Sequence, residues 1–164
     1  AAGETKGIGF RGMTQKERAV IGRGWRQYLS TQVDEKWFRK NLNEVISFED
    51  YLRYYRDPTY AVGPMHNMHL AAYYKINIFF LTVYVNPDTN AHEFSVRISS
   101  PDGAAQYNEQ RASIVLFHAA RGDGGHYESL QQLPEGGRAC DRIGVFKHSS
   151  PLIRFLLSKT NKSK

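Results

Sequence analysis

The sequence predicts an α+β fold in which helices come first and a β-sheet follows. Up to residue 75 the apolar residues recur at helical spacing, between capping residues and prolines. From residue 76 onward the chain consists of β-branched and aromatic runs separated by turns rich in Pro, Asp, Asn and Gly. We expect a sheet that follows its helices in this way to bury an apolar face against them.

The first predicted helix covers residues 14–30. It opens with Thr14 and has Glu17 three residues later, which is the spacing of a capping box. Four residues at helical spacing predict its buried stripe: Ile21, Trp25, Tyr28 and Leu29.

Three further helices precede the sheet, and each has a recognisable start. Asp34 caps the second, Ser47 with Asp50 begins the third, and Pro64 stands near the start of the fourth. Their predicted ranges are residues 34–45, 47–58 and 63–76. A last helix is predicted to begin at Ser150-Pro151.

The sheet is predicted to be mixed and largely antiparallel. Its strands are predicted over residues 76–85, 92–99, 112–119 and 126–131. The first and third are continuous apolar runs, which is typical of strands buried on both faces. The second alternates between apolar and polar residues, so we expect one of its sides to face water. No linker divides the chain, and we expect one domain over residues 1–158 with a short basic tail at 159–164.

Composition limits the classes of function. The formal net charge of +6 favours acidic partners, nucleic acid among them, although the basic residues are spread along the chain and also suit simple solubility. No apolar run is long enough to span a membrane. Cys140 is the only cysteine, so no internal disulfide forms, which suits an intracellular compartment: cytoplasmic, nuclear or organellar. The glycine-rich stretches lack the lysine of a phosphate loop, and no cofactor is predicted.

The segment "GGHYESL", residues 124–130, carries the most distinctive pattern. A glycine pair leads from a buried strand into His126, and Glu128 follows two residues later, on the same side of a strand. An imidazole oriented by a carboxylate is the arrangement that activates a cysteine or serine nucleophile. The alternative is a surface histidine at the start of a strand.

With this segment in place, the sequence resembles the ovarian tumour (OTU) family of cysteine proteases, most of which are deubiquitinases. The resemblance covers nearly the whole chain and depends on the order of several pieces: "SFEDYLRYYRDPTYAVG", "HLAAYY", "INIFFLTV", "SIVLF" and "GGHYESL". It implies a papain-like fold, with N-terminal helices packed on the sheet and His126 as the catalytic base.

The resemblance also implies where a nucleophile belongs, and the expected cysteine is missing there. The counterpart of the family's D-G-N-C-x-F-R-A-type motif is "TKGIGFRGM", which puts Ile8 in the cysteine slot and Thr5 in the aspartate slot. Isoleucine has no lone pair with which to attack a carbonyl carbon. His126 and Glu128 are then vestigial, and we expect both to lie close to Ile8. Cys140 follows the histidine, the reverse of the family order, and is not predicted to replace the nucleophile.

Two other groups of residues suggest binding chemistry. His66 and His69 are three residues apart, a helical spacing that suits a metal, but they have no third ligand, and packing in a core helix explains them better. No metal site is predicted. Tyr54 and Tyr55 stand beside Arg53 and Arg56, a combination that suits either stacking with nucleic acid or a helix packed on a sheet.

Three functions follow from these patterns. The first is a catalytically inactive OTU-like domain, a pseudoenzyme that acts as a binding or scaffolding module for ubiquitin or for subunits of a larger assembly. The second is an active cysteine-type deubiquitinase, which requires either a different register at the motif or an altered residue in this chain. The third is a basic RNA-binding component of a ribonucleoprotein particle.

Overall fold

The computed structural model describes residues 13–42, 45–60, 63–86, 88–100, 103–104, 106–121, 124–132 and 143–160. Of these, residues 103–104, 119–121 and 124–126 are described by their backbone alone. The chain forms two compact units, Ala1–His66 and Asn67–Lys164. The first unit is helical and the second carries the sheet, so the α+β class and the order of its elements are as predicted.

The described part of the first unit contains three complete helices, and each begins directly after the residue that the sequence predicted as its cap. They are α1 (Gln15–Thr31), α2 (Glu35–Asn41) and α3 (Phe48–Arg56). The side chains of Thr14, Asp34 and Ser47 each accept a hydrogen bond from a backbone N–H of the first turn.

The capping box at the start of α1 is complete. The Glu17 N–H donates to the Thr14 hydroxyl, and the Glu17 carboxylate accepts from the Thr14 N–H at 2.7 Å. The Thr14 N–H and, with a smaller effect, the Thr14 hydroxyl donate hydrogen bonds to this carboxylate, and these two bonds lower the pKa of Glu17.

Aromatic side chains form the core of the first unit. Phe38 and Tyr51 are fully buried, with ring centroids 5.2 Å apart, and Tyr55 meets Tyr51 edge-on. Burial, with a smaller contribution from Tyr55, raises the pKa of Tyr51 far above that of a free phenol. Tyr51 therefore stays neutral throughout the physiological range.

Two predictions for these helices are wrong in detail. Tyr28 was predicted in the buried stripe of α1 but is 48% exposed, and the buried residues of that helix are Leu29 and Ser30. The second helix ends at Asn41, four residues earlier than predicted, where the Asn41 side chain donates to the carbonyl of Trp37. Asparagine bonds to nearby backbone in this way and is a weak helix former.

The second unit contains a mixed sheet with strand order β3-β2-β1-β4-β5. The strands are β1 (Asn77–Val85), β2 (His92–Ser100), β3 (Gly103–Ala104), β4 (Ser113–Arg121) and β5 (Gly124–Ser129). Among the described strands the β1–β4 pair is parallel, and the other pairings are antiparallel. The four predicted strands are confirmed, and the mixed, largely antiparallel character is as expected. β3 was not predicted, since two residues carry no pattern.

A buried asparagine helps to set the parallel pairing. Asn77 is fully buried at the start of β1, and its amide donates to the carbonyls of Asn108 at 2.9 Å and Arg111 at 3.2 Å. Its side-chain oxygen accepts from the Asn108 N–H. The segment that leads into β4 is therefore held beside the start of β1.

Helices cover both faces of the sheet at the beginning of β1. On one face Ala71, from the fourth helix α4 (Pro64–Tyr74), packs with Ile78 and Phe80. On the other face Ile153 and Leu156, from α5 (Pro151–Thr160), pack with Phe79, Ile98, Val115 and Phe146. The start of α5 is as predicted, and the helix includes the first two residues of the predicted tail.

The cover does not extend along the full length of β1. Its first side chains, from Asn77 to Phe80, are buried, whereas Tyr84 and Val85 at its end are exposed. The end of β1 therefore lies where its side chains reach solvent.

Candidate functional site

The candidate site lies at the β4–β5 hairpin. β4 is the parallel neighbour of β1, and β5 returns antiparallel to β4. In this register His126 lies opposite Ala119, and Glu128 lies opposite Phe117. The strand predicted over residues 126–131 is present, but its bounds differ: β5 begins at Gly124 and ends at Ser129, so the glycine pair lies within the strand and not before it.

His126 and Glu128 both lie in β5, two residues apart. The Glu128 side chain is exposed. The His126 side chain lies outside the described part of the structure, so an imidazole–carboxylate contact remains a prediction.

Ile8, Thr5 and Cys140 all lie outside the described residues. The closeness of His126 to Ile8 and the vestigial role of the site therefore stay predictions as well. The structure describes the strand that carries the proposed base and leaves the proposed nucleophile slot untested.

The sheet register connects His126 to the opposite edge of the sheet. Ala119 lies beside Val83 of β1, and Val83 lies opposite Phe94 of β2. Phe94 packs against Phe155 of α5. One row of residues therefore crosses four strands, from His126 at one end to Phe94 at the other.

Sequence reasoning missed a second histidine close to the site. His118 of β4 lies opposite Tyr127, and the two rings stack with centroids 4.5 Å apart. Its Nδ1 is 3.5 Å from the hydroxyl oxygen of Thr82 on β1. At this distance the hydrogen bond is weak, so the arrangement favours packing over nucleophile activation. Only the pairing of β1, β4 and β5 reveals this cluster.

The two histidines of α4 pack against aromatic rings. His66 stacks on Tyr51 at 5.3 Å and meets Tyr55 edge-on at 4.7 Å, and its Nδ1 accepts from the Gly63 N–H. His69 is buried, with its ring near that of Tyr73. Within the described ranges no three His, Cys, Asp or Glu side chains form a group that could hold a metal ion. The packing interpretation therefore accounts for both residues.

The arginine–tyrosine group of α3 is largely occupied by contacts within the first unit. Tyr55 is buried, and the Arg56 Nε donates to the Ser30 hydroxyl at 2.9 Å. Arg53 pairs with Asp50 at 2.7 Å and lies over the Tyr54 ring. Stacking of a nucleobase on Tyr55 would require this core to open.

Comparison with known proteins leaves the family of this chain undetermined. No protein-family model matches the sequence, and no curated protein matches it. Among the described residues, no helix has the length and apolar character needed to cross a membrane.

Proposed function

We propose that this chain is an OTU-like domain that has lost hydrolytic activity and works as a binding or scaffolding module. The observation that carries the proposal is the position of "GGHYESL". Its two glycines are the first residues of β5, and β5 pairs with the partly buried β4. His126 and Glu128 lie in this same strand. We expect the base of an OTU-like protease in such a place, near the start of a strand that follows a buried one.

The order of elements supports the same proposal. Helices precede a mixed sheet, the long strands β1 and β4 are parallel neighbours, and the hairpin with the histidine comes after them. These features match the order of pieces on which the resemblance depends. One fold can host different functions, however, so the activity depends on whether a nucleophile is present.

The loss of activity follows from the residues in the motif. Ile8 occupies the cysteine slot and Thr5 the aspartate slot. Without a thiolate no acyl-enzyme forms. An oxyanion site alone would keep only a small part of the catalytic rate enhancement. A fold retained after two such losses is expected to act through contacts, with ubiquitin or subunits of an intracellular assembly as the proposed partners.

A thiol-trapping ubiquitin probe tests the proposal directly. We expect neither labelling of the purified chain nor cleavage of ubiquitin chains of several linkages. Because Cys140 is the only thiol, the variant Cys140→Ser serves as the control for non-specific labelling. Labelling or cleavage that disappears in both His126→Ala and Cys140→Ser would establish an active enzyme and overturn the proposal.

A further inference from the structure

The outer edge of β2 carries backbone groups that are unpaired within the described part of the chain. β3 pairs only with Ser99 and Ser100, so no described strand lies beside the stretch from His92 to Ile98. Open edges of this kind are templates for pairing with another chain. This edge is three strand spacings from β5, or about 14 Å, so it is separate from the His126 site.

A half-exposed aromatic pair stands at the same edge. Phe94 of β2 is 41% exposed and Phe155 of α5 is 49% exposed, with ring centroids 6.2 Å apart. The Nζ of Lys159 lies 5.9 Å from the first ring centroid and 5.3 Å from the second. Two large rings in contact, each half in water, mark a surface suited to association.

The residues along this edge are complementary to the same residues of a second copy when the two strands pair around Ser95. When two copies of β2 pair antiparallel with Ser95 opposite Ser95, Glu93 of each copy lies opposite Arg97 of the other. On the other face, Phe94 of each copy lies opposite Val96. Directly opposite side chains in such a pair are about 4.5–5.5 Å apart at Cβ, close enough for ion pairing and for apolar contact.

The side chains of Glu93 and Arg97 are placed where this pairing needs them. The Glu93 carboxylate is held by the Tyr84 hydroxyl at 3.0 Å and by the Asn86 amide at 2.7 Å, one to each oxygen. Each oxygen keeps a further lone pair for a guanidinium. Arg97 is exposed. Each copy therefore offers one positioned anion and one accessible cation, on opposite sides of Ser95.

We propose that two copies of this chain associate through β2, as a two-fold antiparallel pair centred on Ser95 that continues the sheet from one copy into the other. A two-fold interface uses the same patch on both subunits, and the sequence "EFSVR", residues 93–97, meets that requirement. The inference uses residues of the second unit alone, and it does not depend on the OTU-like function.

Sedimentation velocity over a concentration series, from low micromolar to near-millimolar, tests the proposal. We expect a concentration-dependent dimer of the intact chain. In the Arg97→Glu variant both cross-strand ion pairs become pairs of like charges. The dissociation constant of the dimer should therefore rise at least about tenfold. Lys147→Glu makes the same change of charge at an exposed position outside β2, next to Phe146, which pairs with β4, and should leave the dimer unchanged.

Mixing two variants gives the decisive result. Arg97→Glu and Glu93→Arg should each be largely monomeric, whereas an equimolar mixture should form a heterodimer because both cross-strand pairs become complementary again. Circular dichroism confirms that each variant is folded, a check needed for Glu93→Arg because Glu93 also binds Tyr84 and Asn86. A folded intact chain that stays monomeric overturns the proposal. A dimer that persists in the Arg97→Glu variant also overturns it. An equimolar mixture of the two variants that forms no heterodimer would overturn it too.

Discussion

Arg26 joins two helices of the first unit through one side chain. Its guanidinium donates to the carbonyl oxygens of Tyr54 at 2.9 Å, Tyr55 at 2.8 Å and Tyr60 at 2.7 Å. The first two carbonyls belong to the last turn of α3, where the helix has no further N–H groups to satisfy them. A cation at this end is also favoured by the helix dipole. Arg26 of α1 therefore caps the C-terminus of α3.

Replacing Arg26 should destabilise the first unit measurably. Arg26→Ala removes three charge-assisted hydrogen bonds, two of them partly buried, and we expect a loss of about 2 kcal/mol in the free energy of unfolding. Arg23→Ala, at an exposed position of the same helix, should change stability by less than about 0.5 kcal/mol. Urea unfolding followed by circular dichroism measures both. Equal effects of the two variants would contradict the capping role.

At the scale of elements, α1 is a helix with few buried side chains. Only Leu29 and Ser30 of its 17 residues are buried. The capping box holds its start, while Gly22 and Gly24 weaken its middle. Apart from the adjacent residues and the backbone of the helix itself, no heavy atom of the described residues lies within 4 Å of the place where a Cβ would stand on either glycine. Alanine therefore fits at both positions without displacing a neighbour.

Alanine at these glycines should stabilise the helix. Gly22→Ala and Gly24→Ala should each raise the free energy of unfolding by up to about 1 kcal/mol, because alanine loses less backbone entropy in a helix. The reverse change Ala19→Gly, at an exposed position of α1, should lower it by a similar amount. Thermal unfolding at 222 nm gives the comparison. A loss of stability in either alanine variant would mean that these glycines are needed for a close contact.

At the scale of the whole molecule, the net charge of +6 is the property most relevant to the RNA-binding alternative. Some of the cations already have acidic neighbours: Arg39 pairs with Glu35, and Arg53 with Asp50. Since the remaining cations are spread along the chain, we expect no strip that follows a phosphate backbone.

Salt dependence distinguishes the two functions. Binding of a fluorescent single-stranded RNA should be weak, and its log–log slope against salt should be shallower than about −2, which corresponds to about three phosphate contacts. A slope of about −5 or steeper would favour the ribonucleoprotein function over the protein-binding module. A heparin column run at the same salt concentrations provides a control for general attraction to polyanions.

Local chemistry explains the parts of the structure that sequence reasoning predicted. Thr14, Asp34 and Ser47 cap their helices, because a side-chain oxygen satisfies free N–H groups within the same turn. The long strands follow from their apolar and β-branched runs. The strand that contains His126 and Glu128 was also predicted, since a glycine-rich turn and alternating residues follow a buried strand there. Each of these inferences uses residues close together in the chain.

Only the tertiary structure decided the contacts between distant segments. The parallel pairing of β1 with β4 depends on Asn77 meeting Asn108 and Arg111, more than thirty residues away. The capping of α3 by Arg26 and the stacking of His118 on Tyr127 likewise depend on how separate elements meet. Periodicity and capping motifs give the conformation of a segment and the side it buries. They do not say which partner that side meets, because packing between elements selects it.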